Sequence, residues 1–163
     1  MAITVVPFED AYVEDVVDIW NEVIEAGNAF PQIETLPLEE ASAFFKAQSF
    51  TGVALDDTTN EVVGVYILHP NNIGRCGHLC NTSYAVKAGK RGLHIGESLV
   101  THSMKMGKEK GFRILQFNAV VASNEAALRL YKRLGFTQLG TVPGGFLNGE
   151  GVYEDIILHY IEL

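Results

Sequence analysis

The residues whose types most readily suggest metal binding or redox chemistry lie in one short stretch, GRCGHLCN, residues 74–81. It contains both cysteines of the chain, Cys76 and Cys80, with His78 between them. Thiolates and imidazoles are ligands that zinc prefers, and two nearby thiols can also form a redox pair. The stretch therefore raises three possibilities: a metal site, a disulfide, or a structural segment without special chemistry.

The pattern of this stretch favours the structural segment. HLCNTSYAV reads as a β-strand, and on a strand Cys76, His78 and Cys80 share one face. A straight row of three side chains reaches one metal ion only with strong bending and a fourth ligand from elsewhere. A disulfide between strand positions four residues apart is excluded, because its two α-carbons must lie within about 7 Å. We therefore expect free thiols and no metal site.

A second candidate is the glycine-bearing loop KAGKRGLHIG, residues 87–96, between a predicted strand and a predicted helix. The first N–H groups of a helix are unpaired and its dipole attracts anions, and Lys90 and Arg91 add positive charge. The loop therefore predicts a phosphate site, although it matches neither a Walker loop nor a dinucleotide-binding loop. Glycines that serve only a tight turn would explain the same residues.

A third group of residues lies in FNAVVASNEAALRLYKRLGF, residues 117–136, which predicts a strand and then a helix capped by Ser123 or Asn124. Tyr131 lies three residues before the Leu-Gly-Phe that ends this helix. A tyrosine hydroxyl stays protonated at neutral pH and can donate its proton. Packing of Tyr131 in the core and simple capping by Asn124 are the structural alternatives.

In this order and spacing, the loop and the capped helix resemble the GCN5-related N-acetyltransferase (GNAT) family. The acetyl-CoA loop of that family, Arg/Gln-x-x-Gly-x-Gly/Ala, is matched by Arg91, Gly92, Leu93, His94, Ile95 and Gly96. His94 stands where the family usually has glycine, and we expect it to take helical dihedrals at the start of the helix. The resemblance covers nearly the whole chain. It implies an enzyme that transfers an acetyl group from acetyl-CoA to an amine by direct attack on the thioester.

The resemblance also implies roles for single residues. The amides of residues 92–96 would cradle the pyrophosphate of coenzyme A, and the strand edge at Tyr84, Ala85 and Val86 would bond its pantetheine arm. A backbone N–H near Val86 would stabilise the oxyanion. Asn124 would donate there or to the pantetheine, and Tyr131 would protonate the leaving thiolate.

Locally the chain looks like the branch that includes the fungal azetidine-2-carboxylate acetyltransferases, which acetylate imino acids related to proline. The matching residues are Arg75, Cys76, His78, Cys80, Asn81, Phe117, Asn118, Val120 and Asn124. This branch implies that the three asparagines line the substrate and cofactor pocket. Arg75, Asn81 and Asn118 would then provide donors for an acceptor carboxylate. The chain departs from the branch at Leu130–Tyr131, where the fungal enzymes tend to have Ile-Trp.

The general base and the acceptor stay open at this stage. An imidazole is well suited to accept a proton near neutral pH, but His78 fits a structural role equally well, and His102 falls on the apolar face of its helix. The alternative acceptor is a polyamine or a protein amine, attracted by the acidic N-terminal part of the chain. The alternative function is an acetyl-CoA-sensing domain without turnover.

The elements that must position these residues follow from the hydrophobic periodicity. Predicted strands cover residues 2–7, 50–55, 61–68, 78–86, 112–121, 138–142 and 152–161, and predicted helices cover 10–25, 38–48, 95–111 and 123–136. This mixture predicts an α/β (α+β) fold. The resemblance implies a mixed, largely antiparallel sheet of about seven strands, flanked by about four helices, whose central strands splay apart. We expect one domain over residues 1–163.

Composition limits the classes of function. With 47% hydrophobic and 20% charged residues, the chain is typical of a soluble globular protein. Its net charge of −8 argues against a general nucleic-acid binder. Residues 1–61 carry 13 acids and one base, whereas residues 62–163 carry 7 acids and 11 bases, which suits an anion in the second part. Without a membrane-length apolar run or a signal peptide, we expect a cytoplasmic protein with no membrane partner. The family resemblance adds the expectation of a homodimer.

Overall fold

The computed structural model describes residues 2–90 and 93–163, which form one seven-stranded sheet and four α-helices. The elements are β1 (Ile3–Pro7), α1 (Val13–Ala26), α2 (Leu38–Lys46), β2 (Phe50–Asp56), β3 (Val62–Pro70), β4 (Leu79–Val86), α3 (Ile95–Glu109), β5 (Ile114–Val121), α4 (Glu125–Arg133), β6 (Thr137–Leu147) and β7 (Tyr153–Glu162). The strand order is β1-β2-β3-β4-β5-β7-β6, and only the β4–β5 pair is parallel. The predicted mixed sheet flanked by four helices is confirmed.

The helices cover both faces of the sheet. On one face, called the α1 face below, α1 buries an apolar stripe at helical spacing that includes Val16, Val17 and Trp20. Each large side chain buried in this way contributes about 1.5–3 kcal/mol to folding. On the opposite face, called the α3 face, α3 and α4 pack over side chains such as Leu68 and Leu115. Across the described ranges, none of the helices is both long and apolar enough to span a bilayer.

The two central strands separate after a short contact. β4 and β5 pair only at Leu79 with Ile114 and at Cys80 with Leu115. Beyond these pairs β4 continues to Val86 and β5 to Val121 without further pairing. We call the space between residues 82–86 of β4 and 117–121 of β5 the gap. Its narrow end lies at Cys80, and its wide end leads into the loop before α3. The predicted splay of the central strands is therefore present.

The structure corrects the reading of the GRCGHLC stretch. Cys76 lies in a 3₁₀ helix (Gly74–Cys76), His78 is exposed before β4 begins, and only Cys80 is a strand residue. The prediction that the three side chains share one strand face is therefore wrong. Gly74 has φ of +56°, a conformation that glycine adopts readily and that starts a turn here.

The environments of the two thiols differ accordingly. Cys76 is an exposed free thiol and Cys80 a buried one. Burial raises the pKa of Cys80 to about 12, so this thiol stays protonated and unreactive at neutral pH. Among the residues that the structure describes, no cluster of three potential metal ligands is present.

Candidate active site

The gap exposes one edge of β4. The Asn71 N–H donates to the Leu79 carbonyl oxygen at 2.8 Å, and the Lys87 N–H donates to the Val63 carbonyl oxygen at 2.9 Å. Odd-numbered residues of β4 therefore bond to β3, and the even-numbered ones direct their backbone groups toward β5. Because β5 has separated, the N–H groups of Tyr84 and Val86 face the gap without a strand partner. An extended chain placed in the gap can bond to them.

The Thr82 N–H, nearest the narrow end, is different. It donates to Oδ1 of its neighbour Asn81 at 2.8 Å. Side chains alternate along a strand, so Asn81 lies on the α1 face and Thr82 on the α3 face. The Thr82 hydroxyl is buried and has no hydrogen-bond partner in residues 2–90 and 93–163.

Two tyrosines line the α3 side of the gap. Tyr84 is hydrogen-bonded to Ser103 Oγ at 2.7 Å, and Ser103 donates to the Val100 carbonyl oxygen, also at 2.7 Å. A carbonyl oxygen only accepts, so the Ser103 proton points to Val100 and the Tyr84 proton points to Ser103. Burial, and then the proximity of Tyr131, raise the pKa of Tyr84 well above its usual value. Tyr84 is thus held neutral with its proton turned away from the gap.

Tyr131 extends from α4 toward the same place. Its ring packs on Phe117, with centroids 4.5 Å apart, and on Phe136 and His159. Burial raises the pKa of Tyr131, so its hydroxyl is protonated at neutral pH. Unlike the Tyr84 proton, the Tyr131 proton is not committed to a bond within the described part of the chain, which makes it available to a ligand.

The loop before α3 is only partly described, because Arg91 and Gly92 lie outside the described residues. His94 precedes the helix with φ of +59° and ψ of 23°, so the expectation of helical dihedrals is wrong. This left-handed conformation is the one that glycine adopts without strain. The neighbouring Lys87 and Lys90 both pair with Glu61, at 2.6 and 3.1 Å, which neutralises part of the positive charge of the loop.

The first turn of α3 packs against α4. Ile95 is buried, and Leu93 packs on the same cluster of the α3 face. A Cβ added to Gly96 would meet only Leu130 Cδ2, at 3.8 Å. Glu97 bonds to Arg133 of α4 at 3.0 Å, so its carboxylate is partly neutralised. The helix start is therefore open at Gly96 and fixed at its flanks.

Asn124 caps α4 as one of the two predicted cap residues. Its Oδ1 accepts a hydrogen bond from the Ala127 N–H at 3.2 Å. This bond occupies the side-chain oxygen, and the amide NH₂ is the group with which Asn124 can donate. The structural alternative for Asn124 is thus present, and it is compatible with a second contact.

Two of the predicted substrate residues, Asn81 and Asn118, lie on the α1 face of their strands. Asn118 donates to Asn71 Oδ1 at 2.6 Å, and its own Oδ1 accepts from Asn71 and from Gln116, both at 3.2 Å. Arg75 is exposed in the 3₁₀ helix, and the structure shows no side-chain contact that joins it to Asn81 or Asn118. Sequence reasoning missed Asn71, Gln116 and Thr82. Strand alternation from Asn81 was the available signal for Thr82, whereas nothing local pointed to Asn71.

A contact between two loops bridges the wide end of the gap on the α1 face. Gly27 ends α1, and Gly149 lies in the loop between β6 and β7; the Gly149 N–H donates to the Gly27 carbonyl oxygen at 2.8 Å. A Cβ on Gly27 would lie 2.7 Å from Gly149 Cα, so a side chain there would force the loops apart. Glu22 of α1 also accepts from the Ala88 N–H after β4, and Asp155 of β7 accepts from the Ala122 N–H after β5. The ends of β4 and β5 on either side of the gap are thereby linked through α1, the loop between β6 and β7, and β7.

Comparison with known proteins identifies the family of this chain. A sequence model described as the acetyltransferase (GNAT) family matches residues 13–136. The chain belongs to this family. N-acetyltransferase aca1 of Schizosaccharomyces pombe is 30% identical to it over 155 residues, which cover 85% of this chain and 74% of the relative. This similarity is consistent with the local resemblance to a fungal branch.

Solved GNAT structures share the whole architecture. A GCN5-related N-acetyltransferase from Kribbella flavida superposes with a TM-score of 0.89 at 30% identity, covering 99% of this chain and 98% of that one. A phosphinothricin acetyltransferase from Sinorhizobium meliloti, solved in complex with acetyl-CoA, gives a TM-score of 0.90 at 20% identity and covers 100% and 89% of the two chains. The second comparison shows a likeness of fold alone.

This GNAT chain is an acetyl-CoA-dependent N-acetyltransferase. The described residues fit that donor on two counts. The gap presents unpaired backbone N–H groups to an extended arm at Tyr84 and Val86, and the start of α3 follows its wide end. When bound, the donor supplies an activated acetyl group, whereas the residues around the gap bind, orient and provide a proton.

Proposed function

We propose that this GNAT enzyme acetylates the amine of a free small molecule, and that an amino or imino acid is the favoured class. The observation that carries the transfer step is the gap, where, within residues 2–90 and 93–163, N–H groups of β4 lack a strand partner and the Tyr131 hydroxyl is uncommitted. The observation that favours a small acceptor is the Gly27–Gly149 contact, which bridges the α1 face at the wide end.

Donor binding is assigned to the loop and the β4 edge. The start of α3 (Leu93, His94, Ile95 and Gly96, with Arg91 and Gly92 before them) holds the pyrophosphate through its amides. The edge at Tyr84, Ala85 and Val86 holds the pantetheine arm, and the amide of Asn124 supports it from α4. The order of the elements supports this orientation of the donor, with its phosphates at the wide end of the gap, because β4 leads directly into the loop there.

The transfer step uses groups near the narrower part of the gap. The amine nitrogen attacks the thioester carbon while the Tyr84 N–H stabilises the negative charge that develops on the acetyl oxygen. Tyr84 is preferred to Val86 for this role because Val86 borders the loop, where the other end of the donor is held. The carbon–sulfur bond then breaks as the charge on the oxygen re-forms the carbonyl, and the Tyr131 hydroxyl gives its proton to the departing sulfur. The surplus proton of the acylated nitrogen passes to the Tyr131 oxygen, directly or through water, which restores the tyrosine and leaves a neutral amide. Burial makes the thiolate a stronger base than it is in water, which offsets the rise in pKa that burial also causes for Tyr131.

The acceptor is placed on the α1 face, opposite α3 and α4. Asn81 and Asn118 present amide groups there, and Arg75 is the cationic side chain proposed for an acceptor carboxylate. The reciprocal Asn71–Asn118 bonds hold Asn118 in a fixed orientation, which suits recognition of one polar group. A protein amine would have to pass the bridge between Gly27 and Gly149, so a folded protein is disfavoured as an acceptor.

A panel assay tests the class of acceptor. Release of free coenzyme A is measured with amino acids, proline-like imino acids, a polyamine and a lysine peptide. We expect the highest kcat/KM for an amino or imino acid. A higher value for the polyamine or the peptide would contradict the proposal, and no release with any amine would favour a sensing domain.

The bridge is tested with Gly149→Val. Its branched side chain pushes the two loops apart, because even a Cβ at this position lies 3.3 Å from Gly27 Cα. We expect the KM of the small acceptor to rise about tenfold, equal to about 1.4 kcal/mol, with the KM of acetyl-CoA unchanged. Glu150→Ala, in the same loop, keeps the Gly27–Gly149 backbone contact and serves as the matched control. Equal kinetics for both variants would remove the bridge from the acceptor site.

We propose in addition that the enzyme is a single-domain homodimer that works in the cytoplasm. Support for the dimer comes from β6, an edge strand that is exposed along nearly its whole length. It carries Leu139 and Val142, and Tyr153 lies beside it on β7, all exposed. Exposed edge strands with apolar side chains are ready to pair with another chain.

A further inference from the structure

Thr82 carries a hydroxyl that its surroundings leave unsatisfied. The residue is 7% exposed, and its Oγ1 is buried with no hydrogen-bond partner in the described part of the protein. Burial raises the pKa of Tyr84, and the Thr82 hydroxyl, which lies near the Tyr84 hydroxyl, offsets part of that rise. The described residues nevertheless give the Thr82 hydroxyl no partner with hydrogen-bond geometry. Leaving a buried hydroxyl unpaired is unfavourable. A ligand that supplies an acceptor atom would remove this cost.

The position of Thr82 identifies the acceptor atom. Thr82 follows the last β4–β5 pair at Cys80, so it lies at the narrow end of the gap. Between Val86 and Thr82 the strand covers about 13 Å, since each residue adds about 3.3 Å. A donor whose phosphates sit at the wide end therefore directs its acyl group toward Thr82. Tyr131, proposed to meet the sulfur, lies close to Tyr84, and Thr82 is the next side chain on this face toward the narrow end.

The backbone N–H of Thr82 is not available to donate a hydrogen bond to the ligand. Its N–H already donates to Asn81 Oδ1 at 2.8 Å. The hydroxyl is therefore the uncommitted donor of this residue. A hydroxyl on a β-branched side chain in a strand has few rotamers, so it is held in place before the ligand arrives.

We propose that the Thr82 hydroxyl donates a hydrogen bond to the acetyl carbonyl oxygen of the donor. The bond strengthens as the amine nitrogen bonds to the carbonyl carbon and negative charge moves to that oxygen. When the carbon–sulfur bond breaks, the charge leaves the oxygen and Thr82 keeps its own proton. Together with the Tyr84 N–H, the hydroxyl provides a second donor for the oxyanion. This inference rests on the proposed transfer step but not on the choice of amine.

The first test compares the binding of two ligands to one variant. Thr82→Val keeps the shape of the side chain and removes the hydroxyl. Calorimetry should show that acetyl-CoA binds Thr82→Val about five- to tenfold more weakly than wild type, whereas coenzyme A, which has no acetyl oxygen, binds both equally. Thr82→Ser, which keeps a hydroxyl, should bind acetyl-CoA like wild type. Equal weakening for both ligands would overturn the proposal, since the hydroxyl would then serve the pantetheine arm.

The second test separates catalysis from folding. Because the hydroxyl has no hydrogen-bond partner among residues 2–90 and 93–163, Thr82→Val should unfold at the same temperature as wild type or higher. Its kcat with any accepted amine should fall about 10²-fold, as expected for the loss of one oxyanion donor, and Thr82→Ser should retain most of it. A lower unfolding temperature with normal kcat would overturn the proposal and assign the hydroxyl to the Tyr84 network. The calorimetric comparison needs no acceptor, so a wrong choice of amine would not be mistaken for a failure at Thr82.

Discussion

Tyr84 and Tyr131 place the same functional group close together, and their hydrogen bonds give them different chemistry. The Tyr84 proton is committed to Ser103, which in turn donates to Val100. The Tyr131 proton has no such commitment in the described residues. Burial raises the pKa of both groups, so both stay neutral, but only one can give a proton to a leaving group. At the scale of single residues, hydrogen-bond direction separates these two tyrosines.

Tyr131→Phe tests this separation. The phenyl ring keeps the contact with Phe117, so the unfolding temperature should change little. Loss of the proton donor should lower kcat about 10²-fold and leave the affinity for acetyl-CoA nearly intact. Tyr160→Phe removes the hydroxyl of a half-buried tyrosine on β7, outside the gap, and should keep wild-type kcat. A normal kcat in Tyr131→Phe, with reduced stability, would return Tyr131 to a role in the core.

His94 has a strained backbone conformation next to the proposed phosphate site. At φ of +59° an L-residue with a Cβ is less stable than glycine. His94→Gly should therefore raise the free energy of unfolding by about 1 kcal/mol in urea denaturation. His94→Ala keeps the Cβ and should stay near the wild-type value. Equal stability of the two variants would mean that the surrounding loop, and not the backbone conformation, sets the stability at this position.

At the scale of elements, α3 joins the proposed phosphate loop (residues 87–96) to the core. Its first turn is anchored by the buried Ile95 and by the Glu97–Arg133 pair, while Gly96 leaves one side open. The arrangement fixes the amides that the proposed pyrophosphate site requires. The flanking lysines are paired with Glu61, so the site depends on backbone amides more than the sequence indicated.

Gly96→Asp tests this element. The nearest atom to a new Cβ is Leu130 Cδ2 at 3.8 Å, so the helix should fold as before. A carboxylate at the helix start repels the pyrophosphate, and calorimetry should show coenzyme A binding weakened about tenfold or more, equal to at least about 1.4 kcal/mol. Thr101→Asp adds the same charge on an exposed position further along α3 and should bind normally. Unchanged affinity in a folded Gly96→Asp protein would refute the placement of the phosphates.

At the scale of the whole molecule, β1 and β6 form the two edges of the sheet. β6 forms the second edge, and its outward side chains include exposed apolar residues. A monomer with such an edge risks unwanted pairing, which the proposed dimer would prevent.

Val142→Lys tests the proposed dimer, because a charge on this edge should prevent pairing of two copies. Sedimentation velocity should show a dimer for the wild type and a monomer for Val142→Lys. Ile33→Lys, which replaces another exposed aliphatic residue in the loop between α1 and α2, should remain dimeric. A monomeric wild type, or dissociation in both variants, would contradict the assignment to β6.

The sequence by itself determined features that depend on neighbours along the chain. The amphipathic period placed α1, the Asn124 cap preceded α4, and Gly135 ended it with φ of +95°. These features depend on interactions within a few residues, which local patterns encode. The same reasoning ended β6 early, because PGG at residues 143–145 reads as a loop. The strand instead continues to Leu147 through an irregular register, which an edge strand tolerates because proline needs no N–H partner there.

Only the tertiary structure decided which distant groups meet. The Ser103 bond that commits the Tyr84 proton, the Asn71–Asn118 pair and the Gly27–Gly149 bridge each join separate elements. The pattern of a strand shows which face a side chain takes, but it does not show what lies opposite. It therefore placed Thr82 opposite Asn81 without showing that its hydroxyl has no partner in the described part of the chain. Those partners are fixed when the helices pack on the sheet and β4 separates from β5, because packing selects among many locally equivalent pairings.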